Sequence, residues 1–488
     1  MTSETNRIPE YQQYIDGRWA GSTRLFDDLD PYRGTVMARV PAGTRADAAR
    51  AVDAAAAAFP AWADLPPAEK QTLFLRAADI VERRRDEIAG LLAAETGCAA
   101  GFAGFQTLTA IRLLRQASNW AYLPVGEVIR SDNPGTFALA LRRPLGVVAG
   151  ISPWNGAQVL AWRTVANPLA FGNTVVLKPS EEAPITAGLL VAEIMAEAGF
   201  PAGVLNVVTH APGEAVPIAD EFFERPEVRC VNFTGSSATG RILAERAGRA
   251  LKRCVLELGG YNPLIVLDDA DLDYAVEAAA FAAFFHSGQI CMSARKVLVE
   301  RTVYGPFIER LTARAQELRS GDPADPGTVI GPLITPAALG RVARDVQDAV
   351  AAGAKVLTGG TADGPCYRPT ILADVPAGAR IHSAETFGPV LVAHPVENAD
   401  EAVAIANSTS YGLSAGILTS DSQRGFALAR RIDAGVVHVN DQTVADEPQL
   451  PLGGVKDSGW GRSGPHSMAD FTELQWVTTR EGTGGYPI

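Results

Sequence analysis

Short alternating stretches and longer helical ones divide the chain before any chemistry is considered. Tyr14 to Trp19 surrounds Asp16-Gly17 and reads as a hairpin closed by an Asp-Gly turn. Pro31 to Pro41 reads as extended. Ala46 to Phe59 is alanine-rich, a strong helix former rather than low complexity. Pro66 to Leu92 places apolar residues at Leu73, Ala77 and Ile80, then at Ile88, Leu91 and Leu92, which is helical spacing. Glu127 to Arg143 alternates weakly and breaks at Asn133-Pro134-Gly135, predicting two strands around a turn.

From Leu145 the pattern becomes a strand-helix alternation. Strands are predicted at Leu145 to Ile151, Thr174 to Lys178, Val204 to Val208 and Val228 to Phe233, with helices at Pro184 to Ala198 and Ser236 to Ala250. After Gly260 the alternation restarts. A strand near Leu264 to Leu267 precedes a helix from Asp271 to Phe285, a strand near Val297 and a helix from Tyr304 to Arg319. Further helices are expected near Pro336 to Ala351, Asp400 to Ala406 and Ser422 to Ile432. Such runs predict an α/β chain with two parallel sheets, each covered by helices, and a boundary near Leu258. The tail, Phe471 to Thr478, is strand-like and is expected to pair with the 127–143 arm as an oligomer-forming element. No internal repeat is evident.

Composition narrows the function classes. At 488 residues, with 47% hydrophobic, the chain can build two or three cores. A formal net charge of -12 argues against nucleic acid or an anionic membrane surface as partner, while leaving room for a local phosphate-binding site. Cys98, Cys230, Cys254, Cys291 and Cys366 are scattered, without CxxC or other metal-ligand spacing, as in a reducing compartment. No metal is expected. The polar start Met1-Thr2-Ser3-Glu4 has no apolar signal core, and no run of eighteen apolar residues occurs, so a cytoplasmic protein is expected.

Cys291 lies in Gly288-Gln289-Ile290-Cys291-Met292-Ser293, at a helix-to-strand corner behind a glycine, where a thiol can face a pocket or be a plain buried side chain. His286 is the one histidine close to it in sequence. A Cys-His hydrolase pair stays open, although a packing or surface role suits the end of a helix. Thr234-Gly235-Ser236 ends a strand and opens a helix, whose free amides favour a pyrophosphate. Lys178 and Glu181 follow a strand edge, where they can grip ribose hydroxyls or form a solvated pair; a carboxylate there favours NAD over NADP. Glu257 ends an apolar strand, where burial would raise its pKa toward that of a general base. Asn155, in Pro153-Trp154-Asn155, can donate to an oxyanion or cap a helix. Glu385 and Phe387, in Glu385-Thr386-Phe387-Gly388-Pro389, would share one side of an extended segment, one toward a ribose and one toward a flat ring.

In this order, from Tyr14 to about Val477, the motifs resemble the NAD(P)-dependent aldehyde dehydrogenase superfamily. The resemblance implies a Rossmann-like cofactor domain (1–125 with 144–257), a catalytic domain (258–450) and an oligomerisation arm and tail (126–143 with 465–488). It implies a homodimer or homotetramer and NAD as cofactor, with NADP as the alternative. Cys291 would be the nucleophile, Glu257 the general base, and Asn155 an oxyanion donor together with the Cys291 amide. Lys178, Glu181, Gly235, Ser236, Glu385, Phe387 and Trp154 would hold the cofactor. Because a free thiol is mostly protonated at neutral pH, the site is expected to favour the thiolate.

A closer resemblance, to the benzaldehyde, vanillin and salicylaldehyde dehydrogenase branch, rests on Val128 to Gly135, Trp162-Arg163-Thr164-Val165-Ala166, Asn440 to Gln449 and Gly454 to Arg462. It implies an aromatic aldehyde as substrate. Arg163 and Phe102 would shape the pocket; Arg163 would meet a ring hydroxyl or form a salt bridge between helices. Ile290 and Met292 flank the nucleophile and would touch substrate or simply pack. Leu452 stands where many relatives carry phenylalanine, and Cys98, Ala445 and Ser463-Gly464-Pro465 also depart from the pattern. An aliphatic aldehyde or semialdehyde is the alternative substrate, and a cysteine esterase or acyltransferase the alternative class.

Overall fold

The computed structural model describes residues 8–482 and 486. The polar N-terminal start and the last residues of the expected tail lie outside the described residues.

Two sheets carry the fold. The first has eight strands, and its five central members, Leu205–Val207, Thr174–Pro179, Val147–Ser152, Val228–Thr234 and Arg253–Glu257, run parallel in that spatial order. The 13–20 hairpin closes one edge and Gly459–Trp460 the other, both antiparallel. The second sheet has seven strands, in the order Lys355–Thr358, Thr370–Ala373, Val390–Val396, Lys296–Glu300, Leu264–Val266, Ser414–Leu418 and Val436–Val439. All its pairings are parallel except the first. The α/β class with two parallel sheets is therefore as the pattern predicts. The hairpin turn has Asp16 and Gly17 both at positive φ, which the right-handed twist of its strands requires.

The arm and tail pair as expected. Thr472–Arg480 lies antiparallel along Thr136–Pro144 over nine residue pairs, and Gly126–Ile129 adds a third strand.

Other expectations are corrected. The single helix over Pro66 to Leu92 is two helices, Pro67–Arg83 and Arg85–Thr96. They break at Arg84, whose guanidinium lies against Glu87 and Glu193. Pro31 to Pro41 is extended only from Val36; residues 30–35 turn, with the Asp30 carboxylate accepting from the amides of Tyr32 and Arg33. Val36–Pro41 pairs with Leu25–Leu29, which the pattern did not announce. Two long helices, Ala100–Trp120 and Ala157–Ala170, are also additions. Every residue of Ala157–Ala170 is buried, so it has no polar face to produce an amphipathic period. It packs with Pro67–Arg83, Ala100–Trp120 and Leu190–Ala198 on one face of the first sheet, while Arg45–Ala63, Ala215–Glu224 and Ser237–Arg249 cover the other.

Trp162, at the centre of the buried helix, is 1% exposed and donates its indole N–H to Gln158 Oε1 at 3.1 Å. Trp162→Ala is expected to cost about 3–5 kcal/mol of stability, read as a lowered urea midpoint at unchanged slope.

Candidate active site

Four corners of the chain meet between the two sheets. The strand Val147–Ser152 runs into Pro153-Trp154-Asn155 and then the buried helix. The strand Val228–Thr234 runs into Gly235 and the helix Ser237–Arg249, whose N-cap Ser236 accepts from the Thr239 amide at 3.2 Å. The strand Arg253–Glu257 delivers Glu257 at its carboxyl end. The fourth corner is the turn that carries Cys291.

That turn is strained and heavily tied. After the helix Leu272–Phe284, His286, Ser287 and Gly288 all have positive φ. A Cβ at Gly288 would overlap the carbonyl of Gly388, so only glycine fits there. The buried Arg295 donates to the carbonyls of Gly288 (2.7 Å), Ile290 (3.1 Å) and Gly388 (3.0 Å). Asn262 Nδ2 donates to the carbonyls of Cys291 (2.7 Å) and Ser293 (2.9 Å). Thr443 Oγ1 donates to the Met292 carbonyl at 2.7 Å, and Asn155 Nδ2 to that of Gln289 at 2.9 Å. The Cys291 turn is thus held by four side chains, Arg295, Asn262, Thr443 and Asn155.

The corners open onto a cleft of about 510 Å³. Trp154, Asn155, Gly235, Ser236, Glu257, Cys291, Glu385 and Phe387 all line it, joined by Pro153, Thr234, Ala238, Gly259, Arg341, Arg380 and Thr386. The rings of Trp154 and Phe387 meet edge to face at 5.7 Å. The Glu385 carboxylate occupies the space a Cβ on Gly259 would need, so that glycine lets an acid from the loop before Val390–Val396 lie against the end of the first sheet. Arg380 donates to the Glu385 carbonyl at 3.2 Å and pairs with Asp345.

Other expected site residues lie outside the residues lining this cleft. Lys178 is buried at its strand end. Its Nζ donates to the Pro179 carbonyl at 3.1 Å and lies 2.6 Å from His210 Nε2, with Glu181 Oε2 3.7 Å from the same nitrogen. Phe102, Ile290, Met292 and Leu452 are buried in one apolar cluster with Val444, and Cys291 packs against it. Arg163 forms a buried ion pair with Asp446. Asp446 lies in a loop, so the pair joins a helix to a loop rather than two helices. His286 is neither a surface residue nor bonded to Cys291 among the described residues. It is buried, stacks on Phe102 at 4.4 Å, and its Nε2 has no hydrogen-bond partner. Burial holds its pKa down at about 3, so the ring is neutral.

Sequence reasoning passed over Asp446, Arg295, Asn262, Thr443 and His210. Arg295 had a usable signal in its place four residues after Cys291; Asp446 and Thr443 sat inside a stretch valued only as a resemblance.

Desolvation dominates the electrostatics. Burial pushes Glu257 up to about 8, with Arg163 and Arg462 pulling it back, and its Oε1 has no partner. Glu385 is raised by burial and restrained by Arg295. Burial also pushes the Cys291 thiol up to about 12, and the charges of Glu385 and Glu257 add to this while Arg163 opposes it. Burial first, and then these charges, work against the expected preference for thiolate. Among the described residues no group of three or more His, Cys, Asp or Glu side chains gathers as metal ligands, and no helix is long and apolar enough to cross a membrane.

The aldehyde dehydrogenase family model matches residues 19–477, and the chain belongs to that family. Its members oxidise aldehydes with NAD or NADP. The vanillin dehydrogenase of Pseudomonas fluorescens is 46% identical over 95% of this chain and 96% of its own length. The benzaldehyde dehydrogenase [NAD(+)] of Pseudomonas putida is 39% identical over 94% of each chain. The crystal structure of a salicylaldehyde dehydrogenase from Pseudomonas putida G7 complexed with salicylaldehyde superposes with a TM-score of 0.96 at 39% identity, covering 98% of this chain and 100% of that one.

The raised Glu257 carboxyl has a consequence for stability. Its pKa is about 8 when folded against an ordinary 4.5, so the folded chain binds the proton more tightly and stability falls as pH rises between those values. Glu257→Gln should match the parent in urea melts near pH 4 and outlast it near pH 9; an equal or lower midpoint near pH 9 contradicts the assignment.

Proposed function

We propose that this aldehyde dehydrogenase oxidises an aromatic aldehyde of the benzaldehyde, vanillin or salicylaldehyde type to its carboxylic acid, with NAD as the preferred cofactor. The observation that carries the reading is the convergence of Cys291, Glu257 and Asn155 on one cleft between two sheets, walled by the flat side chains of Trp154 and Phe387. The names of the relatives support the aromatic substrate, as does the apolar cluster of Phe102, Ile290, Met292 and Leu452 packed behind the nucleophile.

The residues present fit a dinucleotide. Gly235 and Ser236 open a helix whose positive end faces the cleft, and Glu385 lines the same cleft within reach of a ribose. Lys178 and Glu181 stand at the carboxyl end of a neighbouring parallel strand, and a carboxylate there disfavours a 2′-phosphate. Bound NAD supplies the hydride acceptor. In this reading the ionised Glu257 carboxylate takes the thiol proton, directly or through a water, as Cys291 Sγ bonds to the aldehyde carbon, and it releases that proton to solvent before the later step. The resulting oxyanion accepts from the Cys291 amide and from Asn155 Nδ2, which has a second N–H beyond the one given to Gln289. Loss of hydride leaves a thioester on Cys291. Glu257 then takes a proton from the water that releases the acid.

The three-stranded arm and tail expose Val128, Ile129, Phe137, Leu474 and Trp476, which supports an oligomerisation role and a homodimer or homotetramer. The domain division at 1–125 with 144–257, 258–450, and 126–143 with 465–488 belongs to the same reading. A cytoplasmic location is supported by five free cysteines.

The test is NADH formation over a panel of hydroxylated and methoxylated benzaldehydes, straight-chain aldehydes and esters, with both cofactors. Cys291→Ala should lose roughly a thousandfold or more of kcat. Because the base must be ionised, parent kcat should rise with pH up to about 8 and Glu257→Gln should lose that limb. Higher kcat/KM on aliphatic aldehydes would move the substrate class. Ester cleavage without aldehyde oxidation would replace the reaction class.

A further inference from the structure

A buried imidazole stands between two opposite charges at the carboxyl edge of the first sheet. The strand register sets Lys178 beside Ile151, and Ile151 beside Phe233. Lys178 is therefore two strands, about 10 Å, from the chain that runs into the Thr234-Gly235-Ser236 corner of the cleft. A pyrophosphate at that corner would carry its ribose toward Lys178.

His210 arrives from the neighbouring strand on the other side. The Val208 amide donates to the Leu177 carbonyl at 3.0 Å. Thr209 Oγ1 donates to the Pro41 carbonyl at 2.6 Å, and the Thr209 carbonyl accepts from the Gly43 amide at 3.0 Å. The backbone thus fixes the place of the ring without help from Lys178. Its proton is fixed by what it faces. Nε2 lies 2.6 Å from the Lys178 ammonium, which can only donate, and Nδ1 lies 3.0 Å from the Ala211 carbonyl, which can only accept. The ring is the neutral tautomer with its proton on Nδ1. Burial, with the Lys178 charge, holds its pKa down at about 4, while burial lowers Lys178 only to about 8.

Lys178 and Glu181 carry opposite charges three residues apart, yet among the described residues they do not pair with each other. They share His210 instead, with Glu181 Oε2 3.7 Å from the nitrogen that accepts from Lys178. The ammonium spends one N–H on the Pro179 carbonyl and one on His210, and keeps a third. The Glu181 side chain is 31% exposed and so open to a ligand.

We propose that His210 is a positioning residue for the cofactor: by accepting from Lys178 it keeps the ammonium from closing on Glu181, and so leaves a donor and an acceptor set apart for the hydroxyls of the adenosine ribose. The inference rests on the reading of this strand edge as the ribose site of NAD. A direct ion pair would satisfy both groups, and a ribose would have to break it to bind. A neutral acceptor holds the ammonium without adding a charge.

The experiment is calorimetric titration of the ligand-free full-length protein at pH 7 with NAD and with its analogue lacking the 2′-hydroxyl of the adenosine ribose. The two amide side chains separate the ring nitrogens: in His210→Asn the amide reaches only the Nδ1 position, and in His210→Gln it reaches that of Nε2. The parent should bind NAD roughly tenfold or more tighter than the analogue, as expected for a hydroxyl bonded to charged groups. In His210→Asn that ratio should fall to about threefold or less, and His210→Gln should recover it to within about twofold of the parent. A merely structural histidine would weaken both ligands alike and leave the ratio unchanged. An unchanged ratio in His210→Asn therefore overturns the proposal while the ribose assignment stands, and so does a ratio in His210→Gln as low as in His210→Asn. If His210→Asn fails to fold by circular dichroism, His210→Leu, which also lacks the acceptor, is judged by the same ratio. A parent that binds NAD without discriminating the analogue removes the ribose assignment and the proposal with it. A parent that binds neither ligand counts against NAD as the cofactor and overturns both.

Discussion

Three backbone carbonyls converge on one buried guanidinium, and the geometry of the site follows from that. Arg295 is 1% exposed. Burying an arginine is costly unless its donors are used, and its use here is to gather Gly288, Ile290 and Gly388 from two segments. Left-handed backbone at three consecutive residues, 286 to 288, would not persist in a free loop. The guanidinium, with Asn262, Thr443 and Asn155, fixes it. The strain points Cys291 into the cleft, and the ties keep it there.

Loss of solvation links the chemistry to the packing. The same dry surroundings push Glu257 toward neutrality and the Cys291 thiol far above its ordinary range. The first effect suits a base. The second works against ionisation of the sulfur. Packed helices close the site on one side, and it opens into the cleft between the sheets.

The amino-acid pattern disclosed the α/β class, the parallel strands, the arm-and-tail pairing and the residues gathered around the cleft. It failed where burial is complete. The helix Ala157–Ala170 shows no face because every side is inside; Ala100–Trp120 keeps an exposed face, but its first turns present Gly101, Gly104 and Leu108 there, which do not read as polar. Apolar spacing also joined what the structure divides: the break at Arg84, held against Glu87 and Glu193, falls between the apolar positions that suggested one helix over Pro66 to Leu92. Lys178 and Glu181 were legible as residue types at a strand end, but not that His210 lies between them, since that residue comes from a distant segment. Asp446 was invisible for the same reason. A partner for Arg163 nearly three hundred positions away leaves no trace in spacing.

The sheet that delivers Glu257 is finished by residues from the far end of the polypeptide. Gly459–Trp460 forms its last strand beside Arg253–Glu257, the Leu258 amide donates to the Ser458 carbonyl, and Ser458 Oγ donates to the Gly259 carbonyl at 2.6 Å. A nascent chain that has not yet reached about residue 460 has made Asn155, Glu257 and Cys291 but lacks the strand and the two Ser458 bonds that close this corner, so the corner is completed late in synthesis.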